Sequence, residues 1–433
     1  MKQLVLFTAL CLVLQFTTIA AALPNPKPDL IVAADGSGEF RSIQAALDAI
    51  PRTNTERTVV FIKNGTYHEK IRVDASFVTM LGQSRDGTRI EFPQDNEAFN
   101  KEPDAIGRAV INVNDANDFV LENLTVENTA GVIGPHAFAI YSAGDRGVVA
   151  DCNVLSHGAD TVSFWGKDNR SYYANCRIEG SVDFVCPRGW CYATNCSLYE
   201  MKNTAAVWHD GSRNRQMKFV LNHCRFDGAK GWNLARHHHD AQFYFLDCHF
   251  SKTMIDRPPF RVIYPLDGGT PSTNDIQRNK TLDESNLWGE RSYYYDCHRT
   301  GGDYPWFADN LATAPGAPRP EQINAAWAFD GTWNPESTAG PVIQKISLDD
   351  GQIALAFSEN VTVKGNPRLK LSNGQSADYL SGSGSNTLAF RSSDKRAKVV
   401  SMDLNGGFII AGRASVTPRM AKSGLPFSPG IGD

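Results

Sequence analysis

Two aspartates near the middle of the chain follow a repeated four-residue phrase at almost the same distance. Asp160 lies 8 residues after Cys152, and Asp183 lies 7 residues after Cys176. If each phrase marks one coil of a repeating fold, the two carboxyl groups lie side by side on neighbouring coils. Two carboxyls this close cannot both ionise easily, so one pKa should rise and leave a protonated acid beside an ionised one. Such a pair supplies a nucleophile and a proton donor.

Arg236 is the third candidate for this site. It stands 12 residues after Cys224, a comparable offset on a later coil. An arginine at this place would favour the ionised form of Asp183. Val182 and Phe184 flank Asp183, so its carboxylate faces outward if these two apolar side chains face the interior.

The phrase that precedes the two acids recurs along the chain. Its five clear cysteines are separated by 24, 20, 28 and 24 residues, a period typical of stacked supersecondary units. Short β-rich runs surround the copies, and no amphipathic helix separates one copy from the next. The pattern predicts an all-β fold, a parallel β-helix whose neighbouring coils lie ~4.8 Å apart. The copies are Asp151-Cys152-Asn153-Val154, Asn175-Cys176-Arg177-Ile178, Asn195-Cys196-Ser197-Leu198, His223-Cys224-Arg225-Phe226 and Asp247-Cys248-His249-Phe250, with a weaker last copy at Asp296-Cys297-His298.

We expect the spaced cysteines to form mainly a buried stack, with each cysteine on one face of a strand together with the apolar residue two positions later. Adjacent coils also bring sulfur atoms within bonding range, so a bridge between neighbours is compatible with the pattern. Cys186 and Cys191 are close in sequence and can pair with each other. The sequence leaves the pairing open.

The first part of the chain indicates export. Residues 1–22 contain Lys2, an apolar core and an end rich in alanine, which is the pattern of a secretory signal peptide. We therefore expect a secreted protein, extracellular or periplasmic, with no membrane span, because no other run is long and apolar enough. The net charge of −4 offers no basic face for nucleic acid.

The mature chain is expected to begin with a capping helix. Ile43, Ala46, Leu47 and Ile50 mark one helical face that stops at Pro51. A helix here would cover the open end of the first coil, which would otherwise expose unpaired backbone.

The composition changes in the last quarter of the chain. Residues 313–319 are rich in proline and alanine and have the pattern of a linker, and residues 327–335 are expected to pack back on the coils. Beyond Pro341, short alternating strands separated by turns rich in Gly, Ser and Asn predict a small β-sandwich of the immunoglobulin- or cadherin-like kind. The predicted domains are a signal peptide at 1–22, a β-helix at 23–336 and the sandwich at 337–433.

Several segments resemble the pectinesterases (pectin methylesterases), secreted enzymes with a right-handed parallel β-helix. The resemblance covers about residues 29–335, and the segments occur in the family's order and at compatible spacing. It implies hydrolysis of methyl esters in pectin, with Asp183 as nucleophile, Asp160 as general acid and then base, and Arg236 as the residue that orients Asp183 and the substrate. The segments are DGSGEFRSIQAALDAIP at 35–51, NGTYHEK at 64–70, GDR at 144–146 with ADT at 159–161, GSVDFV at 180–185, and LAR at 234–236.

The chain departs from the family where amide donors to the oxyanion are expected. Ala159 stands where the family has a glutamine, His136 begins the element in which another glutamine is expected, and His238 replaces a tryptophan. Loss of one such donor can reduce the rate by roughly 100-fold or more. Three explanations stay open: His136 or His157 substitutes, the enzyme acts on another ester, or it is inactive. The residues expected to bind substrate are His136, His157, Trp208, Trp232 and His238.

We expect no cofactor and no metal. His237 and His239 can converge on one face of a strand, but a metal site needs a third ligand, and a polar coil edge is favoured. The expected partner is pectin (homogalacturonan), and the protein is expected to be a monomer. Two other functions compete with the esterase: a β-helix polysaccharide lyase or glycosidase, and a carbohydrate-binding or adhesive protein without catalysis.

Overall fold

The computed structural model describes residues 29–210, 214–338, 342–394, 396, 398–403, 408–411, 414–415 and 419–420. In this part of the chain, the backbone winds into one β-helix whose coils form three parallel sheets, and an antiparallel sheet follows. The predicted all-β class and the parallel β-helix are confirmed. The predicted signal peptide at 1–22 lies outside the described residues. None of the helices in the described part is long and apolar enough to cross a membrane.

Each complete coil contributes one strand to each of three sheets, which we call A, B and C in the order that the chain visits them. Sheet A contains Leu30–Val32, Thr58–Ile62, Val78–Gly82, Val120–Glu122, Gly147–Ala150, Arg170–Ala174, Trp190–Thr194, Phe219–Asn222, Phe243–Leu246 and Ser292–Tyr295. Sheet B contains Gly65–Tyr67, Thr88–Phe92, Thr125–Asn128, Asn153–Ser156, Arg177–Gly180, Ser197–Glu200, Arg225–Gly228, His249–Phe250 and His298–Arg299. Sheet C contains Ile71–Val73, Ala109–Val113, Phe138–Ser142, Val162–Phe164, Val185–Pro187, Ala205–His209, Asn233–His237 and Phe260–Arg261.

Helices are short and lie outside the coils, and the last strands form an antiparallel sheet that we call D. The α-helices are Ile43–Asp48, Asn96–Lys101, Thr273–Ser285, Ala325–Ala328 and Pro335–Thr338, and the 3-10 helices are Pro305–Phe307, Leu311–Thr313 and Pro320–Gln322. Sheet D contains Val342–Asp349, Gln352–Lys364, Arg368–Leu371, Ser376–Ser381, Ser385–Arg391, Val399–Asp403, Phe408–Ala411, Ala414–Ser415 and Arg419–Met420.

The repeated phrase marks the corner between sheets A and B. The first residue of each clear copy adopts the left-handed conformation, with φ from 50° to 55°. Aspartate and asparagine tolerate this conformation better than most residues, and they open four of the five copies. The cysteine therefore lies at the corner, and the strand begins at the next residue, one position later than the sequence predicted.

The predicted cysteine stack is confirmed. Cys152, Cys176, Cys196, Cys224 and Cys248 all belong to the interior cluster of the β-helix, together with the apolar residue two positions after each. All eight cysteines in the described part of the chain are free thiols, Cys186 and Cys191 included. Packing of small, apolar sulfur-containing side chains therefore fills this corner.

The predicted capping helix is confirmed at Ile43–Asp48. The Ser42 hydroxyl accepts a hydrogen bond from the backbone N–H of Ala45 at 3.2 Å, which caps the first turn. Ile43, Ala46 and Leu47 are buried against the first coil, so the helix covers the end of the interior cluster.

Residues 311–333 form a layer on the outer face of sheet A. The ring of Trp327 meets Tyr244 edge-on with centroids 5.1 Å apart, and Trp333 and Ala314 are buried in the same cluster. The expectation that residues 327–335 pack back on the coils is confirmed. Residues 313–319 take part in this layer through Ala314, so they are not simply a spacer between two domains.

Sheet D also contacts the β-helix. Val59, Phe61 and Leu81 on the first coils of sheet A share an apolar cluster with Leu355 and Phe357 of sheet D. The short strands predicted for this region are confirmed, and their pairing is mainly antiparallel. The assignment as an immunoglobulin- or cadherin-like sandwich stays a prediction.

Candidate active site

The candidate site lies on the outer face of sheet C. Val162, Val185 and Val207 occupy equivalent positions on successive strands and face the interior. The residues that follow them in each strand therefore face outward, because side chains alternate along a strand. By register these residues form one outward row along the helix axis: Tyr141, Ser163, Cys186, Trp208, Arg236 and Phe260.

Asp160 and Asp183 lie in the turns that lead from sheet B into this row. Both residues have a left-handed backbone, with φ of 59° and 60°. The Asp160 N–H donates to the carbonyl of Val182 at 3.2 Å, which places the two turns on top of one another. The predicted neighbouring coils therefore do bring the two acids together.

The turn that carries Asp183 is strained and firmly held. Val182 has φ of 47°, a rare conformation for a β-branched residue. Its N–H donates to Glu200 Oε1 and Thr204 Oγ1, both at 3.2 Å. A Cβ at Gly180 would lie 2.1 Å from Thr161 Oγ1, so only glycine lets this turn approach the Asp160 turn. Strain of this kind persists only where the surroundings fix it, and it is concentrated at functional sites.

Arg236 grips the Asp183 carboxylate with two nitrogen atoms. Its Nε donates to Asp183 Oδ1 at 2.8 Å, and its Nη2 donates to Oδ2. The guanidinium carbon also lies 5.2 Å from the centre of the Trp208 ring. Such a fork is the strongest and most directional carboxylate contact that a side chain makes. It fixes the orientation of the Asp183 carboxylate beside the outward row, and we call the surface along this row the groove.

The two carboxyls have different electrostatic surroundings. Burial raises the pKa of Asp160 well above its usual range, and the nearby charge of Asp183 raises it further, although Cys186 hydrogen-bonds Asp160 and opposes this shift. Burial also raises the pKa of Asp183, but the hydrogen bonds and charge of Arg236 lower it, so the rise is smaller than that of Asp160. The site therefore favours a protonated Asp160 beside an ionised Asp183.

His136 lies beside Asp160, and His157 lies on the surface. The His136 Nε2 is 3.7 Å from Asp160 Oδ2, while 52 % of its side chain is exposed. Burial lowers the pKa of His136, although the charge of Asp183 opposes this, so the neutral ring is favoured near pH 7. His157 is exposed, and its backbone carbonyl accepts a hydrogen bond from the Ser181 hydroxyl at 2.7 Å. Of the two histidines, His136 is the one placed against the acid pair.

Trp208 and His238 form the wall next to Arg236. Their rings meet edge-on with centroids 4.3 Å apart. His238 Nδ1 is 2.9 Å from Asp210 Oδ1, and its Nε2 contacts the Tyr264 hydroxyl. Two fixed partners hold the imidazole, so His238 shapes the wall at a position where a tryptophan was expected.

The expectation that Trp232 binds substrate is wrong. Trp232 is 0 % exposed and stacks on Phe226 inside the coils, and its indole N–H lies within hydrogen-bond distance of the hydroxyls of Ser251 and Thr253. The sequence marks aromatic residues but does not reveal that Trp232 lies before the strand Asn233–His237, on the inner side of the turn.

His237 and His239 have separate hydrogen-bond partners. His237 Nδ1 is hydrogen-bonded to the carbonyl of His239, and its Nε2 lies 3.6 Å from a carboxylate oxygen of Glu290. His239 Nδ1 is bonded to the Ser285 hydroxyl at 2.7 Å. Among the described residues, no three His, Cys, Asp or Glu side chains form a group that fits a metal ion.

Sequence reasoning missed four residues that support the site. Glu200 lies under the Val182 turn, and burial raises its pKa to about 8. Cys186 hydrogen-bonds Asp160, and Asp210 and Tyr264 hydrogen-bond the imidazole of His238. Only Cys186 had a signal in the sequence, because it directly follows the inward Val185, and alternation along the strand therefore places it on the outer face.

The fold and the site together define a β-helix protein with paired buried carboxyls and an arginine clamp in one groove. The family model described as "Pectinesterase" matches residues 29–255, which is more than half of the chain. The chain belongs to the pectinesterase family.

Curated relatives match over part of their length. The chain is 34 % identical over 182 residues to "Pectinesterase" of Petunia integrifolia, which covers 42 % of this chain and 47 % of that protein. It is 28 % identical over 210 residues to "Pectinesterase 2" of Citrus sinensis, which covers 47 % of this chain and 40 % of that protein. The chain thus spans less than half the length of these relatives.

Solved structures share the fold. "Pectin methylesterase PemA from Erwinia chrysanthemi" matches with a TM-score of 0.55 and 20 % identity, over 72 % of this chain and 99 % of that one. A pectin methylesterase "in complex with hexasaccharide VII" matches with a TM-score of 0.54 and 19 % identity, over the same shares. At these identities the likeness shows the β-helix fold alone.

Proposed function

We propose that this protein is a carboxylic ester hydrolase that removes methyl groups from pectin, the methyl-esterified galacturonan. The observation that carries the proposal is the asymmetric acid pair: Asp183 is clamped by Arg236, and Asp160 is buried beside it without such a clamp. This arrangement provides an ionised nucleophile and a protonated acid at the same pH. Family membership and a groove along sheet C support a polysaccharide ester as substrate.

In the first step, an oxygen of Asp183 attacks the ester carbonyl and forms a tetrahedral adduct. When this adduct collapses, the bond to the methoxy oxygen breaks, and Asp160 gives its proton to the departing group. Methanol leaves, and the acyl group stays on Asp183 as an anhydride. Arg236 orients Asp183 throughout.

In the second step, the now ionised Asp160 takes a proton from water while the water oxygen attacks the acyl carbon. Collapse of this adduct breaks the bond to Asp183 and releases the free carboxylic acid of the sugar. Asp183 is again a carboxylate and Asp160 is again protonated, so the balance is ester plus water to acid plus methanol. His136 donates a hydrogen bond to the oxyanion in both adducts.

The test is release of methanol from methyl-esterified pectin, measured beside release of acetate and of sugar. Methanol formed at a rate that depends on Asp183 supports the proposal. Unsaturated sugar products would identify a lyase, and binding of pectin without any product would identify a carbohydrate-binding protein.

We further propose that the protein is exported and acts as a monomer, with a catalytic β-helix at 23–336 and a second domain at 337–433. The change from parallel to antiparallel strands after Thr338 supports the boundary. A chain that ends at residue 338 should keep methanol release, although it uncovers Val59, Phe61 and Leu81. Loss of folding in that chain would place the boundary elsewhere, and sedimentation of the full chain tests the monomer.

A further inference from the structure

Strands of sheet B end at the corner that leads into sheet C, and one of them ends in a buried acid. Ser156, Gly180 and Glu200 end three successive strands, each two positions after a residue of the interior cluster. Side chains two positions apart share a face of the strand, so all three positions face the interior. Glu200 is 0 % exposed. A buried carboxyl is costly unless it is hydrogen-bonded, so its partners need an explanation.

The first two of these residues differ in how they hold the turn that follows. Ser156 Oγ accepts the N–H of Gly158 at 2.9 Å, so the turn before Asp160 is held from its own coil. Gly180 has no side chain, and the close approach of Thr161 requires a glycine there. The turn that carries the nucleophile therefore receives no side-chain support from the end of its own strand.

Glu200 supplies this support from the next coil. Its Oε1 accepts the N–H of Val182 at 3.2 Å, the N–H of Lys202 at 2.9 Å and the hydroxyl of Thr204 at 3.2 Å. Thr204 Oγ1 also accepts the Val182 N–H at 3.2 Å, so two side chains share this donor. A Cβ at Gly228 would lie 2.5 Å from the Glu200 carbonyl oxygen and 3.0 Å from its Cβ. Glycine on the following strand therefore leaves room for the acid.

Val182 links both reacting carboxyls to this support. Its N–H binds Glu200, and its carbonyl accepts the N–H of Asp160 at 3.2 Å. The N–H of Asp183 donates to the carbonyl of Ala205 at 2.7 Å, in the turn that follows Glu200. A shift of Val182 therefore moves Asp183 and Asp160 relative to each other.

A ligand in the groove does not reach Glu200. A cavity of about 480 Å³ opens beside Arg236, and its lining includes Thr204 and Ala205, whereas Glu200 is fully buried. Burial raises the pKa of Glu200 to about 8, so the neutral form dominates at pH 7. Removal of this carboxyl therefore takes neither a substrate contact nor a full charge away from the site, and it acts through the turn.

We infer that Glu200 is a positioning residue for the reaction, which acts through Val182 and fixes Asp183 against Asp160 from the interior of the next coil. The inference deepens the proposed function and rests on it for the chemistry that the two acids carry out. The hydrogen-bond acceptor at this position, rather than its charge, sets the rate.

The first test compares Glu200→Ala with Glu200→Gln by steady-state methanol release from esterified pectin at pH 7. Glu200→Ala removes the acceptor, and kcat should fall about 100-fold, the effect of a displacement of about 1 Å at the reacting group. KM should stay within about twofold, because no contact with the substrate is lost. Glutamine keeps an oxygen for the three donors, so Glu200→Gln should keep kcat within about threefold of the wild type. Unchanged kcat in Glu200→Ala, or an equal loss in both variants, would overturn the inference.

Thr204 provides a second pair of variants, which decides the question if Glu200→Ala does not fold. Thr204→Val removes the hydroxyl that accepts the Val182 N–H and donates to Glu200. Its kcat should fall about tenfold, the effect of one lost hydrogen bond. Thr204→Ser keeps the hydroxyl and should keep the wild-type kcat. Equal kcat values in these two variants would contradict the support.

Glu122→Ala is the matched control. Glu122 is also 0 % exposed and also ends a strand, Val120–Glu122, but this strand belongs to sheet A. Glu122→Ala should lower the melting temperature and keep the kcat of the folded protein. A fall in kcat as large as that of Glu200→Ala would show that loss of any buried carboxyl slows the reaction, and it would overturn the special role of Glu200.

Amide hydrogen exchange of the full chain separates the positioning role from the esterase, because it involves no turnover. The Val182 amide should exchange about tenfold faster in Glu200→Ala than in the wild type, and at the wild-type rate in Glu200→Gln. If methanol is never released but exchange follows this pattern, the support of the turn stands and the proposed esterase fails. If methanol is released but the Val182 amide exchanges equally in all three proteins, the positioning role fails and the esterase stands.

Discussion

Two corners of the β-helix use the same backbone conformation for different purposes. At the corner between sheets A and B, Asp151 and Asn175 are left-handed and precede buried cysteines. At the corner between sheets B and C, Asp160 and Asp183 are left-handed and precede the outward row. The first corner stacks side chains of one kind, and Asn175 Nδ2 donates to Asp151 Oδ1 at 3.1 Å. The second corner places unlike groups together: two acids, Arg236 and a histidine.

The difference indicates that a left-handed aspartate in this fold usually serves only to form the turn. It can take part in a reaction where the next coils place a cation and a cavity beside it. At the second corner the backbone is also more strained, because Val182 shares the left-handed conformation with Asp183. The local hydrogen bonds from Val182 to Glu200 and Thr204 hold that strain in place.

The largest expected effect comes from changing one aspartate at each corner. Asp183→Asn should reduce methanol release by at least about 1,000-fold, because an amide is a far poorer nucleophile than a carboxylate. Asp151→Asn should keep the wild-type rate, since asparagine tolerates the left-handed conformation and retains a carbonyl oxygen. Full activity of Asp183→Asn in a methanol assay would refute the mechanism.

A second pair of variants compares two arginine forks. Arg236→Lys should lower kcat roughly 100-fold, because lysine cannot hold both oxygens of Asp183. Arg146 makes a similar fork to Asp118, with Nε at 2.8 Å from Oδ1, but it lies in the turn before the sheet A strand Gly147–Ala150. Arg146→Lys should lower the melting temperature and leave kcat unchanged. Equal kcat values for the two variants would remove Arg236 from the mechanism.

The third effect is smaller and tests the replacement of the missing amides. His136→Ala should lower kcat at least about tenfold with little change in KM, if its N–H stabilises the oxyanion. His157→Ala is the control, because His157 is exposed and bonded through its backbone carbonyl. Unchanged turnover in His136→Ala would rule out His136 as the replacement for the missing amide donors and would leave the oxyanion without an identified donor near Asp160.

The sequence predicts the coil architecture well because the phrase spacing reports it directly. The phrase places Asp160 and Asp183 on adjacent coils, and the structure stacks their turns through several hydrogen bonds, among them the one from the Asp160 N–H to the Val182 carbonyl. The buried stack of cysteines is also predictable, since small apolar side chains recur at one position of each coil, whereas the sequence left open whether these cysteines form disulfides.

Other features depend on distances between coils that spacing does not encode. Trp232 and Trp208 are both tryptophans near a strand of sheet C, yet one is interior and the other borders the groove. Tyr264 reaches His238 from a segment beyond the strand Phe260–Arg261, and no pattern links the two residues. Glu200 belongs to a strand of sheet B, and its support of the Val182 turn appears only when the coils are stacked.

The last prediction concerns Glu200, which is 0 % exposed and has a pKa raised to about 8 by burial. In the unfolded chain its pKa is near 4.5. Between these values the folded protein keeps the proton that the unfolded chain releases, so this group lowers the free energy of unfolding as pH rises. The slope is at most about 1.4 kcal/mol per pH unit, and the effect ends above pH 8. Glu200→Gln should remove this slope, as measured by denaturant unfolding from pH 5 to pH 8.

The pKa of Asp145, on the other side of the β-helix, is shifted in the opposite direction, so its effect on the pH dependence of stability is also opposite. Burial alone would raise its pKa, but hydrogen bonds from Arg170 and the charges of Arg170 and Arg146 lower it below 3.8. Its contribution to stability is complete above the unfolded pKa and is lost only as pH falls below it. Asp145→Asn should therefore lower the free energy of unfolding by a constant amount from pH 5 to pH 8. If Glu200→Gln shifts the curve in the same parallel way, the Val182 turn rests on an ionised Glu200, and burial does not hold the proton under the nucleophile.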